Sequence, residues 1–218
     1  FNEEKKRIID LGVSTIPSSY LLPELLAEFG KSYPDVYFHS IQSDSAGAIQ
    51  RVADGSVDVG LVGQDTGEES CSFLPFCQDS LVIAAPVTRH YLQMKKRDVT
   101  FRDFIKDPII MREKGSGTKK EMDVFLENIG VSPGELNVVA RMNDLESIKK
   151  SIVNGVGISV LSARSVFDLE KTKQILLFPL DEGEHMRNFY IVYSKNRIQK
   201  PHVRQFIHFV REFYDTKS

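Results

Sequence analysis

The sequence predicts an α/β fold of two similar lobes, each a mostly parallel sheet flanked by helices, with two crossing strands as a hinge. A self-echo at a spacing of one hundred positions is the first reason. Ser18, Leu22, Leu25, Leu26, Phe29, Gly30, Val36 and Phe38 have as counterparts Thr118, Met122, Phe125, Leu126, Ile129, Gly130, Leu136 and Val138; further on, Asp44, Val52, Asp54 and Gly55 answer to Asp144, Ile152, Asn154 and Gly155. The second reason is that each copy alternates strand, helix, strand, helix, strand, and crossovers of that length favour parallel pairing with right-handed connections. The third is a pair of apolar stretches, 80–85 and 188–193, which lie outside the repeats about a lobe apart.

Taken in order, residues 8–13 read as a buried strand left through the polar turn Ser14-Thr15-Ile16-Pro17-Ser18-Ser19. Leu21, Leu22, Leu25, Leu26 and Phe29 then recur at helical spacing, with Pro23 tolerable in the first turn and Gly30 near the end. Residues 36–41 alternate as a strand, Ser45 is the expected cap of a helix bearing Ile49 and Val52, and Gly55 closes that helix before a strand at 57–62. In the second copy, 108–111 is the strand and Gly115-Ser116-Gly117 the turn. Thr118 with Glu121 forms an expected capping box for a helix carrying Met122, Phe125, Leu126 and Ile129. A strand at 136–140, a helix capped by Asn143 or Asp144 and carrying Leu145, Ile148 and Ile152, and a strand at 157–161 complete it. The chain is expected to cross to the second lobe near Pro86 and return near Tyr193, so lobe one is 1–86 plus 193–218 and lobe two 87–192. A final helix at 201–214, with Pro201 at its start and Val203, Phe206, Ile207, Val210 and Phe213 on one stripe, should pack on lobe one.

Composition excludes several classes. With 28 Lys plus Arg against 30 Asp plus Glu, the net charge of −2 gives no global attraction to nucleic acid or anionic lipid. Two cysteines, Cys71 and Cys77, make neither a disulfide framework nor a four-ligand zinc site and read as reduced thiols. No apolar run has the length of a membrane span, and residues 1–7 lack the apolar core of a signal peptide, so the expected location is cytoplasmic. An opening Phe1 in place of Met indicates a missing upstream segment.

Catalytic signatures fail in turn. Ser116-Gly117-Thr118-Lys119 fits S-x-x-K, but so does the stretch from Ser147 to Lys150, and the companion motifs of that chemistry are missing from the sequence. Gly115-x-Gly117 opens a dinucleotide fingerprint, yet Lys120 occupies the place of the third glycine. His39, His90, His185, His202 and His208 show no i, i+4 pair, so no metal and no cofactor is expected. Glu68-Glu69 and Asp181-Glu182 fall in Gly-containing stretches and read as loop-solvating charge. Two strand-to-helix turns remain. Helix N-termini carry unsatisfied N–H groups worth roughly 0.3–1 kcal/mol toward an anion when exposed. Hydroxyls of Ser14, Thr15, Ser18, Ser116 and Thr118 stand beside them. Each hydroxyl taken alone is as readily a helix cap as a ligand contact, but two such turns at matching places favour a shared anion.

At these residues the chain resembles the effector-binding domain of LysR-type transcriptional regulators. The matching text is Leu11-Gly12-Val13-Ser14-Thr15 through Tyr20-Leu21-Leu22-Pro23, residues 29–34, and Ile49-x-x-Val52-x-x-Gly55-x-x-Asp58-Val59-Gly60-Leu61-Val62. It continues with Arg112-Glu113-x-Gly115-Ser116-Gly117-Thr118 and residues 152–161. The resemblance implies a two-lobed periplasmic-binding-protein-like (type 2) fold and an N-terminal winged helix-turn-helix DNA-binding domain absent from this chain. It also implies a homodimer or homotetramer, DNA contact through the absent domain only, and no membrane partner. By family pattern a small anionic effector is contacted by Ser14, Thr15 and Ser18, by Gln64, and by Ser116, Gly117 and Thr118. The wording around these turns is similar to regulators linked to sulfur or selenium metabolism. Two rival classes share the architecture: a solute-binding protein of a transporter, which needs an export signal upstream, and an enzyme, for which the sequence offers no catalytic constellation.

Overall fold

A computed structural model gives the fold of residues 7–180 and 185–216; Asp181 and Glu182 of the expected solvated loop, and residues 1–6, lie outside the described residues. The chain partitions into two compact units, Phe1–Gln78 with Asn188–Ser218 and Asp79–Arg187. The first unit opens with β1 (Arg7–Ser14), α1 (Leu22–Ser32), β2 (Val36–Ser43), α2 (Ser45–Asp54) and β3 (Val59–Val62). The long strand β4 (Cys71–Pro86) carries the chain from the first unit into the second. There follow α3 (Arg89–Met94), β5 (Ile109–Arg112), α4 (Gly117–Asn128), β6 (Val138–Met142), α5 (Leu145–Val153), β7 (Ser159–Ser162), α6 (Ala163–Lys171) and β8 (Ile175–Pro179). Strand β9 (His185–Ser194) carries the chain back, and α7 (Pro201–Asp215) ends it.

In the first unit β1 is central and parallel to both neighbours. It runs from Arg7↔Val36 to Ser14↔Ser43 along β2 and from Leu11↔Val59 to Val13↔Leu61 along β3, with β9 antiparallel on β3. Ile9, Leu11 and Val13 put fully buried branched side chains on alternate positions of β1. Against that sheet lie Leu25 and Phe29 of α1 with Val203, Phe206 and Val210 of α7; the rings of Phe29 and Phe206 meet edge to face at 5.3 Å. Burying each such ring is worth about 1.5–3 kcal/mol. A second cluster under α2 joins Ala48, Ile49, Val52, Val57, Val62, Cys71 and Val192.

The second unit repeats the order. β5 is parallel to β6, with a bulge between Ile109 and Ile110, and touches the chain before β7 through the parallel bridge Ile109↔Ile158. β4 lies antiparallel to β7 and to β8. Its core gathers Leu81, Ile83, Tyr91, Phe104, Phe125, Leu126 and Phe178.

Several local expectations change. Asp44, not Ser45, caps α2, accepting from Gly47 N at 2.7 Å, because the buried Ser45 hydroxyl instead accepts from Gly63 N at 3.1 Å and holds the end of β3. The Thr118 and Glu121 capping box does not form: α4 starts two residues earlier, Ser116 occupies the cap position, and the Thr118 oxygen is taken by Arg187. Of the two candidates for α5, Asp144 is the cap, accepting from Ser147 N at 2.8 Å. On α7 the buried stripe ends in Tyr214 where Phe213 was expected. Helices α3 and α6 and strand β8 had no counterpart in the expected element list.

Candidate functional site

In α/β sheets ligands are met beyond the carboxyl ends of parallel strands. At that end of the first unit, β1 finishes at Ser14, which is 4% exposed and stands in register with Ser43 of β2. The chain then makes a wide helical turn over Pro17–Leu21 before α1; Pro17 has no N–H to leave unpaired there. Thr15 and Ser18 are half-buried in this turn. Because β3 runs parallel to β1, Gln64, two residues beyond β3 and 6% exposed, belongs to the same carboxyl edge as Ser14. Ser14, Thr15, Ser18 and Gln64 are therefore gathered at one edge of one unit, and no ionised side chain occurs from Leu11 to Leu22.

The corresponding edge of the second unit is built from charge. Here β5 ends at Arg112, and α4 begins after Ser116. Ser116 and Thr118 are each 4% exposed and Gly117 is buried, so the three expected residues share the first turn of one helix. Ser116 makes no side-chain cap, which leaves the first-turn N–H groups of α4 without that partner. Arg112, also buried, grips Glu113 through Nε and Nη2, both at 3.0 Å. Lys119 pairs with Asp123 one turn along. A small, partly open hollow lies here, with Ile110, Met111, Met122 and Val160 as its apolar walls and Arg112, Thr118 and Lys119 as its polar ones.

Sequence reasoning missed the two ionised residues that anchor this edge. Asp79 of β4 and Arg187 of β9 have side chains 0% and 2% exposed. Arg187 donates through Nε and Nη2 to the same Asp79 oxygen at 2.9 and 2.8 Å, while its Nη1 donates to Thr118 Oγ1 at 3.0 Å. The other Asp79 oxygen accepts from Ser162 Oγ at 2.8 Å and lies 3.6 Å from Arg164 Nε. A buried ion pair repays its desolvation only when its remaining hydrogen-bonding capacity is used, as it is here. The available signal was a single charge at the mouth of each apolar crossing stretch, Asp79 before 80–85 and Arg187 before 188–193.

Other chemistry is weaker. Neither Cys71 nor Cys77 is in a disulfide, and burial pushes the Cys71 thiol up, away from nucleophilic thiolate. Among the described residues no group of three His, Cys, Asp or Glu side chains is placed to hold a metal, and no helix is long and apolar enough to cross a membrane.

The model of the LysR substrate binding domain family matches residues 2–215. The chain belongs to that family. Among solved structures, the effector binding domain of QuiR in complex with shikimate superposes with a TM-score of 0.85 at 20% identity, covering 97% of this chain and 98% of that one. The fold is thus the two-lobed type 2 periplasmic-binding-protein-like one. Among relatives, the HTH-type transcriptional regulator CysL of Bacillus subtilis (strain 168) is 28% identical over 208 residues, 88% of this chain and 68% of that protein. The phosphonates import ATP-binding protein PhnC of Anaeromyxobacter dehalogenans (strain 2CP-C) is 27% identical over 202 residues, 92% of this chain but only 40% of that protein. The matched domain is a binding domain and not an enzyme.

Proposed function

We propose that this chain is the effector-sensing part of a LysR-type transcription regulator and takes a small oxyanion or carboxylate. Its contacts are Ser14, Thr15, Ser18 and Gln64 from the first unit and Ser116, Gly117 and Thr118 from the second. The observation that carries this is the makeup of the α4 turn, where uncapped helix N–H groups stand beside two buried hydroxyls. Such a set offers donors, and a donor set is complementary to a ligand that only accepts. Family membership, the CysL relative and the shikimate complex of QuiR, a carboxylate complex, support the same reading. In the whole protein an N-terminal winged helix-turn-helix would contact DNA, the oligomer would be a homodimer or homotetramer, and the location would be cytoplasmic. Effector coupling of about 1–3 kcal/mol suffices to change promoter occupancy severalfold to a hundredfold.

The PhnC relative favours a second reading, ligand capture in the service of an importer. It predicts methylphosphonate as a ligand and an export signal or transporter module encoded beside the domain. Calorimetry with sulfate, sulfite, selenite, shikimate and methylphosphonate on the wild type and on Thr118→Val tests both. Binding of one of the first four, weakened at least tenfold by the substitution, is expected, since a charge-assisted hydrogen bond is worth about 1.5–3 kcal/mol. Binding indifferent to Thr118→Val removes the assigned site.

A further inference from the structure

We propose that the Arg187–Asp79 pair acts as a positioning element that fixes the hydrogen-bonding sense of Thr118, holding its hydroxyl as a donor toward the ligand; this rests on the effector reading above. The pair joins the first and last residues of the second unit, which stand on the two strands that carry the chain in and out of it. Three of the guanidinium nitrogens are used: Nε and Nη2 on Asp79 and Nη1 on Thr118. An arginine stays protonated and can only donate. The Thr118 oxygen must therefore accept from Nη1, and its proton is turned elsewhere.

Among the described residues no group accepts that proton. The neighbouring donors are the first-turn N–H groups of α4 and the Ser116 hydroxyl, 4% exposed and committed to no cap. The Thr118 proton joins them, so the first turn of α4 gathers several donors and suits a ligand rich in acceptors. Within the pair the Arg187 charge is balanced by Asp79, whose second oxygen accepts from Ser162 and lies 3.6 Å from Arg164 Nε. The pair supplies orientation without adding net charge. That separates it from a cation that would bind any anion by attraction, and it makes the geometry of the acceptor, rather than its charge, the quantity read.

Two measurements on the full chain decide this. The first needs no ligand: ¹⁵N-edited spectra of the Arg187 guanidinium should show separate, slowly exchanging Nη protons in the wild type, with the Nη1 signals alone lost in Thr118→Val. Averaged Nη signals in the wild type overturn the proposal. The second is a calorimetric cycle with sulfate and shikimate as probes, comparing Thr118→Val, the apolar pair Asp79→Leu with Arg187→Leu, and all three together. Replacing a buried pair by apolar residues is commonly tolerated; Arg187→Lys, which keeps the charge but cannot fork to both partners, serves if the apolar pair does not fold. The expected result is a loss of about tenfold in each background with no further loss on combination, the mark of two residues acting through one hydrogen bond. Equal and additive losses overturn it. Failure of the wild type to bind sulfate, sulfite, selenite or shikimate overturns the effector reading and the ligand half of this proposal, whereas averaged Arg187 signals overturn the positioning role by themselves.

Discussion

Where β1 runs toward α1, the chain passes from Leu11 to Leu22 without an ionised side chain; where β5 runs into α4, eight residues from Arg112 to Lys119 include Arg112, Glu113, Lys114 and Lys119. Both turns follow a strand paired in parallel with the next strand of its copy, and both place hydroxyls at the carboxyl edge. The first solves its backbone demands with Pro17 and a widened helical turn. The second uses ion pairs: Arg112 on Glu113, Lys119 on Asp123 and, from β9, Arg187 on Asp79. Two copies of one supersecondary plan have thus diverged in electrostatics while keeping their packing. Conformity to the plan lies in the apolar positions, and individuality lies at the edge where a ligand is read.

If the second edge depends on paired charge, removing one partner should be the costliest change in the molecule. Asp79→Ala leaves Arg187 buried without its carboxylate, and about 3–5 kcal/mol of stability is expected to go. Urea unfolding measures it; a loss below about 1 kcal/mol would mean that water reaches the guanidinium and that the two edges do not differ as described. The packing half of the comparison is tested at equivalent positions, Leu25→Ala in α1 and Phe125→Ala in α4, which are 0% and 3% exposed. Each should cost about 3 kcal/mol by cavity formation, and a large disparity in the same unfolding experiment would break the equivalence of the two cores.

The parts legible in the sequence are those governed by period and by turn chemistry. The hundred-residue echo places β1, α1, β2, α2 and β3 against β5, α4, β6, α5 and β7 because apolar spacing records which face is buried. Gly55 and Gly155 mark helix ends because both adopt left-handed φ angles, +77° and +79°. Asp144 is among the expected caps, but Ser45 is the expected cap of α2 and not the observed one, because local sequence does not show that Gly63, eighteen residues on, claims the serine oxygen. The Arg187–Asp79 pair was hidden for the same reason, as its members are far apart in the chain and each resembles a surface charge at a strand end. Helix α6 and strand β8 were overlooked because the second repeat has no first-unit copy beyond β7 to echo.

The two left-handed glycines sharpen the comparison at a smaller scale. Alanine at either one pays about 1 kcal/mol for its backbone conformation. At Gly155 nothing else lies within 4 Å of the new methyl, so the cost ends there. At Gly55 the methyl would fall on the guanidinium of Arg197, which donates to the carbonyls of Gly55 at 2.9 Å and Asp54 at 3.1 Å and so closes the end of α2. Gly55→Ala should therefore cost about 0.5–1.5 kcal/mol more than Gly155→Ala. Equal shifts in urea midpoint would show that Arg197 contributes nothing to that helix end.

The smallest effect is the pH dependence of the Asp144 cap. The Ser147 hydroxyl and then its N–H hold the Asp144 carboxyl below its ordinary value of 3.8. A depressed carboxylate stabilises the fold above its unfolded pKa, and that contribution is lost as pH falls through the lower, folded value. Asn at the same position still accepts from the Ser147 N–H but does not titrate. Melting temperatures of the wild type and Asp144→Asn should accordingly be close near neutrality and converge further, or cross in favour of the variant, as acid is added below the ordinary aspartate range. A wild type that keeps its full advantage over Asp144→Asn in acid would show that the carboxylate charge at this cap is not what the hydrogen bonds recognise.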